Sequence, residues 1–217
     1  MRRQLGMPAV LVATLSMAAC LDKETTHTLY LSPDGQVAWV TFESHVRSNA
    51  KDAPSRNAEE AEYLAAALAG TNDVARGLGA LEPELVRTRV LRRERPFTVM
   101  TEARFSSVEA LANRIIAAFR IPGDAYISRD GDAVTLHVHL DLRAVETEEN
   151  AGPANSNPVE ALVDEIASYR IVLTEGSFSD PVGFKLNGDA TAATPVALSD
   201  DEIKALQVLD LALTWRR

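Results

Sequence analysis

Between residues 133 and 142 the chain alternates Val134, Leu136, Val138 and Leu140 with Thr135, His137, His139 and Asp141. That is the period of a strand with one dry and one wet face, and it puts the two histidines and the aspartate on the same side. Imidazole and carboxylate are metal-ligand types, and same-face neighbours come within reach of one ion, so His137, His139 and Asp141 could hold a metal for hydrolysis. The plainer reading is that an amphipathic strand needs polar residues on its solvent face. His27 and His45 are remote in sequence and add nothing to the set without a fold.

A second cluster is basic. Arg87, Arg89, Arg92, Arg93 and Arg95 stand close together with Glu94 as the one acid among them, in a chain of net charge −9. Guanidinium forks suit phosphate and carboxylate, so anionic lipid headgroups or envelope polymers are candidate ligands. Pairing with the protein's own surplus of acids is the alternative.

Other chemistries find little support. Glu59, Glu60 and Glu62 fall where carboxylates complement a helix dipole, and Glu146, Glu148 and Glu149 fall in a polar loop. Gly176-Ser177-Phe178-Ser179-Asp180 lacks the Gly-x-Ser-x-Gly pattern of a nucleophile elbow, and no phosphate-cradling glycine loop occurs. No catalytic residue and no cofactor is assigned. An apolar ligand is a third possibility, if the stripe from Ile115 to Phe119, beside Phe97 and Phe105, lines a groove rather than the core.

The elements that must position these residues read as repeated hairpins followed by helices. Leu29–Leu31 and Val37–Phe42 are strand-like around the turn Ser32-Pro33-Asp34-Gly35, where proline sets φ and glycine permits a positive φ. A helix follows, with Asn57 as cap, Glu60 three residues on, and a stripe of Ala61, Leu64, Ala65 and Leu68. Gly70 to Asp73 breaks it, and Val74–Leu81 can form a short second helix. Leu85–Leu91 and Phe97–Phe105 are the next strands. Ser106 with Glu109 then reads as a capping box for a helix carrying Val108, Leu111, Ala112, Ile115, Ile116 and Phe119. Ala125–Arg129 and Ala133–Leu142 flank the turn Asp130-Gly131-Asp132. A polar loop, Arg143–Ser156, leads to a helix from Asn157-Pro158 with Val159, Leu162, Val163 and Ile166. Strands at Arg170–Leu173 and Val208–Trp215 complete the pattern, with a short helix capped by Ser199 and Glu202 between them. The expectation is an α+β domain: an antiparallel or mixed sheet built from successive hairpins, with helices packed on one face. The passages share grammar rather than sequence, which makes this one domain and not a repeat array.

The stretch entering Phe105-Ser106-Ser107-Val108-Glu109-Ala110-Leu111 is similar to the corresponding part of LppM-type bacterial lipoproteins. The start of the chain points the same way. Arg2 and Arg3 precede a mostly apolar run from Leu5 to Leu15, followed by small residues up to Cys20, the single cysteine. A dozen apolar residues make roughly 18 Å of helix, short of a hydrocarbon core of about 30 Å, so the segment reads as an export signal. Met17-Ala18-Ala19-Cys20 resembles the lipobox of bacterial lipoproteins, with Met17 where that family prefers Leu. The resemblance implies lipidation of Cys20 and cleavage before it. The other reading is an ordinary cleavage after Ser16 and Ala18 that leaves Cys20 as a thiol, and the lack of a second cysteine to pair with in an oxidising compartment weighs against it.

Residues 1–19 are thus expected as signal peptide, 20–27 as a lipidated tether reaching at most about 25 Å, and 28–217 as a single domain. Loss of Arg2 and Arg3 with the signal makes the mature chain two charges more negative still, which excludes general nucleic-acid binding. Leu21 is not the Asp that, by the same resemblance, signals inner-membrane retention. The reading is an exported, periplasm-facing lipoprotein of the cell envelope, on an outer membrane where one exists. It is held by lipid on Cys20 and has a non-enzymatic binding or structural role. A metal-dependent hydrolase and a lipid or apolar-ligand carrier are the alternatives, and a protein partner is left open.

Overall fold

The computed structural model describes residues 21–144, 166, 168–199, 202 and 206–216. The chain runs β1 (Leu21–Leu31), β2 (Val37–Ser48), α1 (Ala53–Ala69), α2 (Asp73–Ala80), β3 (Leu85–Arg92), β4 (Phe97–Phe105), α3 (Val108–Phe119), β5 (Gly123–Asp130) and β6 (Ala133–Asp141). It continues through β7 (Tyr169–Leu173), β8 (Ser177–Val182), β9 (Phe184–Leu186), β10 (Ala192–Pro195) and β11 (Val208–Arg216). The α+β class expected from the hairpin grammar is what forms. The strands are divided between two sheets, however, where a single sheet was expected. A large mixed sheet has the order β3-β4-β2-β1-β7-β10-β9, and a small antiparallel one the order β5-β6-β11-β8. β1 and β7 run parallel, and the other pairs are antiparallel.

Alternation decides which face of the large sheet is dry. Val37, Trp39, Thr41 and Glu43 of β2 and Phe97, Val99, Thr101, Ala103 and Phe105 of β4 are all buried, while their neighbours are half-exposed or exposed. At the end of the sheet formed by the β1–β2 turn, this inner face packs on α3 and the small sheet. Leu31, Val37, Trp39 and Phe105 join Leu111, Leu136, Leu213 and Trp215 in one core. Trp215 is wholly buried, and its indole N–H donates to the Pro33 carbonyl at 3.0 Å. At the other end α1 and α2 lie on β2, β3 and β4.

Several boundaries differ from the sequence reading. Residues 21–27, expected as a tether, form the first half of β1, with Leu21 opposite Ser48 and Thr25 opposite Glu43. Their pairing partners on β2 are polar except Phe42, opposite Thr26, and residues 22–27 are themselves polar, so no apolar alternation marks this part of the strand in the sequence. Helix α1 starts earlier than Asn57. Asp52 caps it by accepting from the Ser55 backbone N–H at 2.8 Å, and a proline stands in its first turn. Its inward residues are Glu60, Tyr63, Leu64 and Ala67, whereas Ala61, Ala65 and Leu68 of the expected stripe face solvent. Ser107 rather than Ser106 caps α3, accepting from the Ala110 N–H at 3.2 Å. Ser199 and Glu202 do make the reciprocal bonds of a capping box, at 2.8 and 3.4 Å. The expected loop begins as a 3-10 turn at Leu142–Ala144, the rest of it and the helix across 145–165 lie outside the described residues, and Ile166 packs on the core. β8, β9 and β10 were not expected, being short and broken by Pro181, Gly183 and Pro195.

Candidate functional site

Arginine geometry is set by the register of β3, the edge strand of the large sheet. Arg87 lies opposite Glu102 and Arg89 opposite Met100. A bulge between Val90 and Arg92 then brings Arg92 opposite Thr98. Thr98, Met100 and Glu102 alternate with the buried residues of β4, so the register puts all three arginines on the outer face. Arg93 follows in the β3–β4 turn. The inward residues of β3 are Val86, Thr88 and Val90.

The five arginines do not act alike. Arg95 is held by α1, through an ion pair with Glu60 and a 2.6 Å bond to the Asn57 side-chain oxygen. Glu102, across from Arg87, is engaged by Arg104 at 2.7 Å instead. Arg87, Arg89, Arg92 and Arg93 make no ion pair with any carboxylate among the described residues, and all four are exposed. Charged residues on an edge strand also block unwanted strand pairing, but that role is independent of having a ligand. Among the described residues, ion pairing with the protein's own acids holds for Arg95 and for no other of the five.

His137, His139 and Asp141 share a face of β6 as the alternation predicts, yet each is engaged elsewhere. The His137 ring stacks on Tyr126 of β5 with centroids 4.7 Å apart, and its Nε2 bonds the Ser128 hydroxyl at 2.9 Å. His139 Nδ1 lies 2.6 Å from Asp210 of β11. Asp141 is chelated by Arg143, with two guanidinium bonds of 2.8 and 2.7 Å. No group of three His, Cys, Asp or Glu side chains among the described residues converges as a metal site would. The three side chains thus have separate partners: β5 engages His137, β11 engages His139, and Arg143, just after β6, engages Asp141.

The Asp210 hydrogen bond raises the His139 pKa above the usual imidazole value of about 6.5, and the Arg143 guanidinium holds the Asp141 carboxyl below its usual range. A raised histidine pKa means that the His139–Asp210 pair contributes while the imidazole is charged. Its contribution is complete below the ordinary imidazole range and is lost as pH rises through the elevated value. Asp210→Asn is expected to return His139 to an ordinary titration, followed by NMR of its ring protons. A His139 midpoint that does not fall would show that Asp210 is not the cause.

The buried side of the large sheet holds a polar cluster absent from the sequence reading. Glu43, only 2% exposed, accepts from Lys23 Nζ at 2.6 Å, from the Tyr63 hydroxyl at 3.2 Å and from Asn72 Nδ2 at 3.1 Å. Asn72 Oδ1 accepts in turn from Thr88, which bonds Thr101. Burial and the neighbouring Glu43 push the Tyr63 hydroxyl well above the ordinary tyrosine range. The period-two pattern from Val37 through Trp39 and Thr41 puts Glu43 on the core face, and that was the available signal. Because Glu43 is met by three donors, the cluster is a clamp joining β1, β2, α1 and α2.

No described protein family matches the chain, and no curated protein is similar to it in sequence. Among solved structures it is similar to the NMR structure of the folded domain of Mycobacterium tuberculosis LppM, with a TM-score of 0.36 and 9% identity over 89% of each chain. A likeness that distant carries no argument about function.

The apolar-ligand reading fares poorly in the described residues. Phe97, Phe105 and Ile116 are buried in the protein interior. A cavity of about 30 Å³ lies between the sheets, lined by Leu31, Val108, Leu111 and Trp215 among others, and another of about 50 Å³ lies beside Leu209 and Leu211. Pockets for small ligands run from about 300 Å³ upward, and a single water takes about 30 Å³. No helix among the described residues is long and apolar enough to cross a membrane.

Proposed function

We propose that the chain is a lipid-anchored protein of the bacterial cell envelope, exported by its N-terminal signal and held by lipid on Cys20. Its folded domain acts by binding an anionic partner rather than by catalysis. The observation that carries the binding role is the group of four exposed arginines, Arg87, Arg89, Arg92 and Arg93, without carboxylate partners among the described residues, in a chain of net charge −9. In an acidic protein, guanidinium groups find carboxylates readily. A cluster without them retains the bidentate donor geometry that phosphate and carboxylate ligands accept. A periplasm-facing position on an outer membrane, where one exists, follows the lipobox resemblance and the absence of Asp after Cys20. The hydrolase and carrier alternatives are weakened by the separate pairings of His137, His139 and Asp141 and by the size of the cavities.

One experiment tests both halves. Cys20→Ser is expected to move the protein from the membrane to the soluble fraction. The released protein is then expected to be retained on immobilised polyphosphate, and reversal of Arg87, Arg89, Arg92 and Arg93 to Glu should abolish that retention. A Cys20→Ser protein that stays membrane-bound without lipid refutes the anchor. Retention that survives the charge reversal refutes the arginine site.

A further inference from the structure

We infer that the anionic partner is the bilayer that holds the chain's own lipid, and that the domain docks on it with the β3–β4 turn facing the headgroups. This rests on the lipid-anchored reading above and adds an orientation and a contact surface to it.

The topology brings the anchor and the arginines to one end of the large sheet. Leu21, one residue after Cys20, pairs with Ser48 at the end of β2. Val46, two residues earlier on β2, pairs with Phe97 at the start of β4. Thr98 in turn pairs with Arg92 at the end of β3. From β1 to β3 is three strand spacings, about 14 Å across the sheet. Because β1 begins at Leu21, there is no slack between lipid and domain: the corner of the sheet carrying Leu21 must sit at the membrane surface. Arg92 and Arg93 then lie within reach of the same surface, with Arg87 and Arg89 receding from it along β3.

Charge is distributed to match. Most acids at the anchored end are engaged: Asp22 faces Arg47 at 3.9 Å, Glu24 meets His45 at 3.2 Å, Asp52 caps α1, Glu59 takes the Ser48 hydroxyl and Glu60 pairs with Arg95, while Glu94 stands exposed in the β3–β4 turn beside Arg93. At the opposite end, about 33 Å away along β1, stand Asp34 in the β1–β2 turn and Glu84 beside the end of β4. The anchored end therefore presents Arg92 and Arg93, in no ion pair among the described residues, against the one turn acid Glu94, and the far end presents acidic groups that anionic headgroups repel. Leu91 completes the surface. It is the bulged residue among the arginines and is 53% exposed, an apolar side chain placed where headgroup and acyl region meet. A soluble polyanion would use the arginines, but it would explain neither the shared end with the anchor nor an exposed leucine at the centre of the patch.

The single cysteine makes the test direct, because once Cys20 carries lipid, Leu91→Cys supplies the one free thiol. The lipidated full chain, labelled at position 91 with an environment-sensitive fluorophore, is reconstituted into phosphatidylcholine vesicles with and without phosphatidylglycerol. The same label at Asp34→Cys is the reference. With phosphatidylglycerol present, the probe at 91 is expected to shift to the blue and to be quenched by a bilayer-embedded quencher, while the probe at 34 does neither. High salt, or Glu at positions 87, 89, 92 and 93, should remove the effect at 91, and circular dichroism checks that each variant is folded. If the probe at 91 stays as exposed as that at 34 while the protein remains on the vesicles, docking is refuted and the anchor stands. A signal at 91 that answers to added polyphosphate and not to phosphatidylglycerol also refutes it, in favour of a polymer. If Cys20 itself takes the label, the lipid-anchored reading is what fails.

Discussion

Trp215→Ala is expected to destabilise the domain by about 4 kcal/mol, in the range measured when a buried aromatic side chain is truncated. Trp215 is fully buried where the small sheet meets the β1–β2 turn, opposite Val134 on one side and Phe178 on the other. Truncation leaves a cavity between two sheets whose backbones are each held by long ladders and cannot collapse into it. It also strips the Pro33 carbonyl of its indole donor. For a domain of this length the loss corresponds to roughly 8–16 °C in Tm. Trp215→Phe keeps most of the volume but not the hydrogen bond and should fall between the two. Thermal unfolding followed by circular dichroism reads all three. A Tm for the alanine variant close to the parent's would mean that the two sheets do not depend on each other for stability.

The second large effect is expected at Glu43. Glu43→Ala should cost about 3 kcal/mol, because removing one member of a buried charge cluster leaves its partners desolvated. Tyr63 and Asn72 lose their acceptor. Lys23 is 26% exposed and can turn partly to water, which keeps the loss below that of a fully enclosed pair. Lys23→Ala alone should therefore cost less than Glu43→Ala, and the double variant little more than Glu43→Ala, since both act through one interaction. Urea unfolding of the four proteins checks this, and strictly additive losses would show that Lys23 and Glu43 are not coupled. Hydrogen exchange is expected to quicken in β1 and α1 of Glu43→Ala before the β6–β11 ladder responds, because the clamp ties those two elements to β2.

Where apolar and polar residues alternate, the sequence was a reliable guide to the fold. β2, β4 and β6 each bury one face against a core, so the period of two is written in residues 37–43, 97–105 and 133–142. The first half of β1 carries no such pattern because residues 22–27 are all polar, and hydrogen bonding between backbones leaves no mark in side-chain pattern. The inward face of α1 was misassigned for a related reason: Glu60 and Tyr63 point inward to meet Ser48, Arg95 and Glu43, so the buried stripe is not the most apolar one. Asp210 offers the opposite lesson. It is 71 residues from His139 in sequence, and only the β6–β11 register brings them together.

By itself the sequence determined the α+β class, the hairpins and the acidic balance, because these follow from local composition and periodicity. It also put Arg87 and Arg89 on one face. Tertiary structure alone decided that β11 joins β6 and β8 in a second sheet, that His139 meets Asp210, and that Arg95 belongs to α1. Pairing among distant segments also brought the start of β1 and the end of β3 to the same end of the sheet, so that Arg92 and Arg93, in no ion pair among the described residues, stand at the end where β1 begins. Strand order and register depend on how whole faces bury one another, and no local window of residues contains that information.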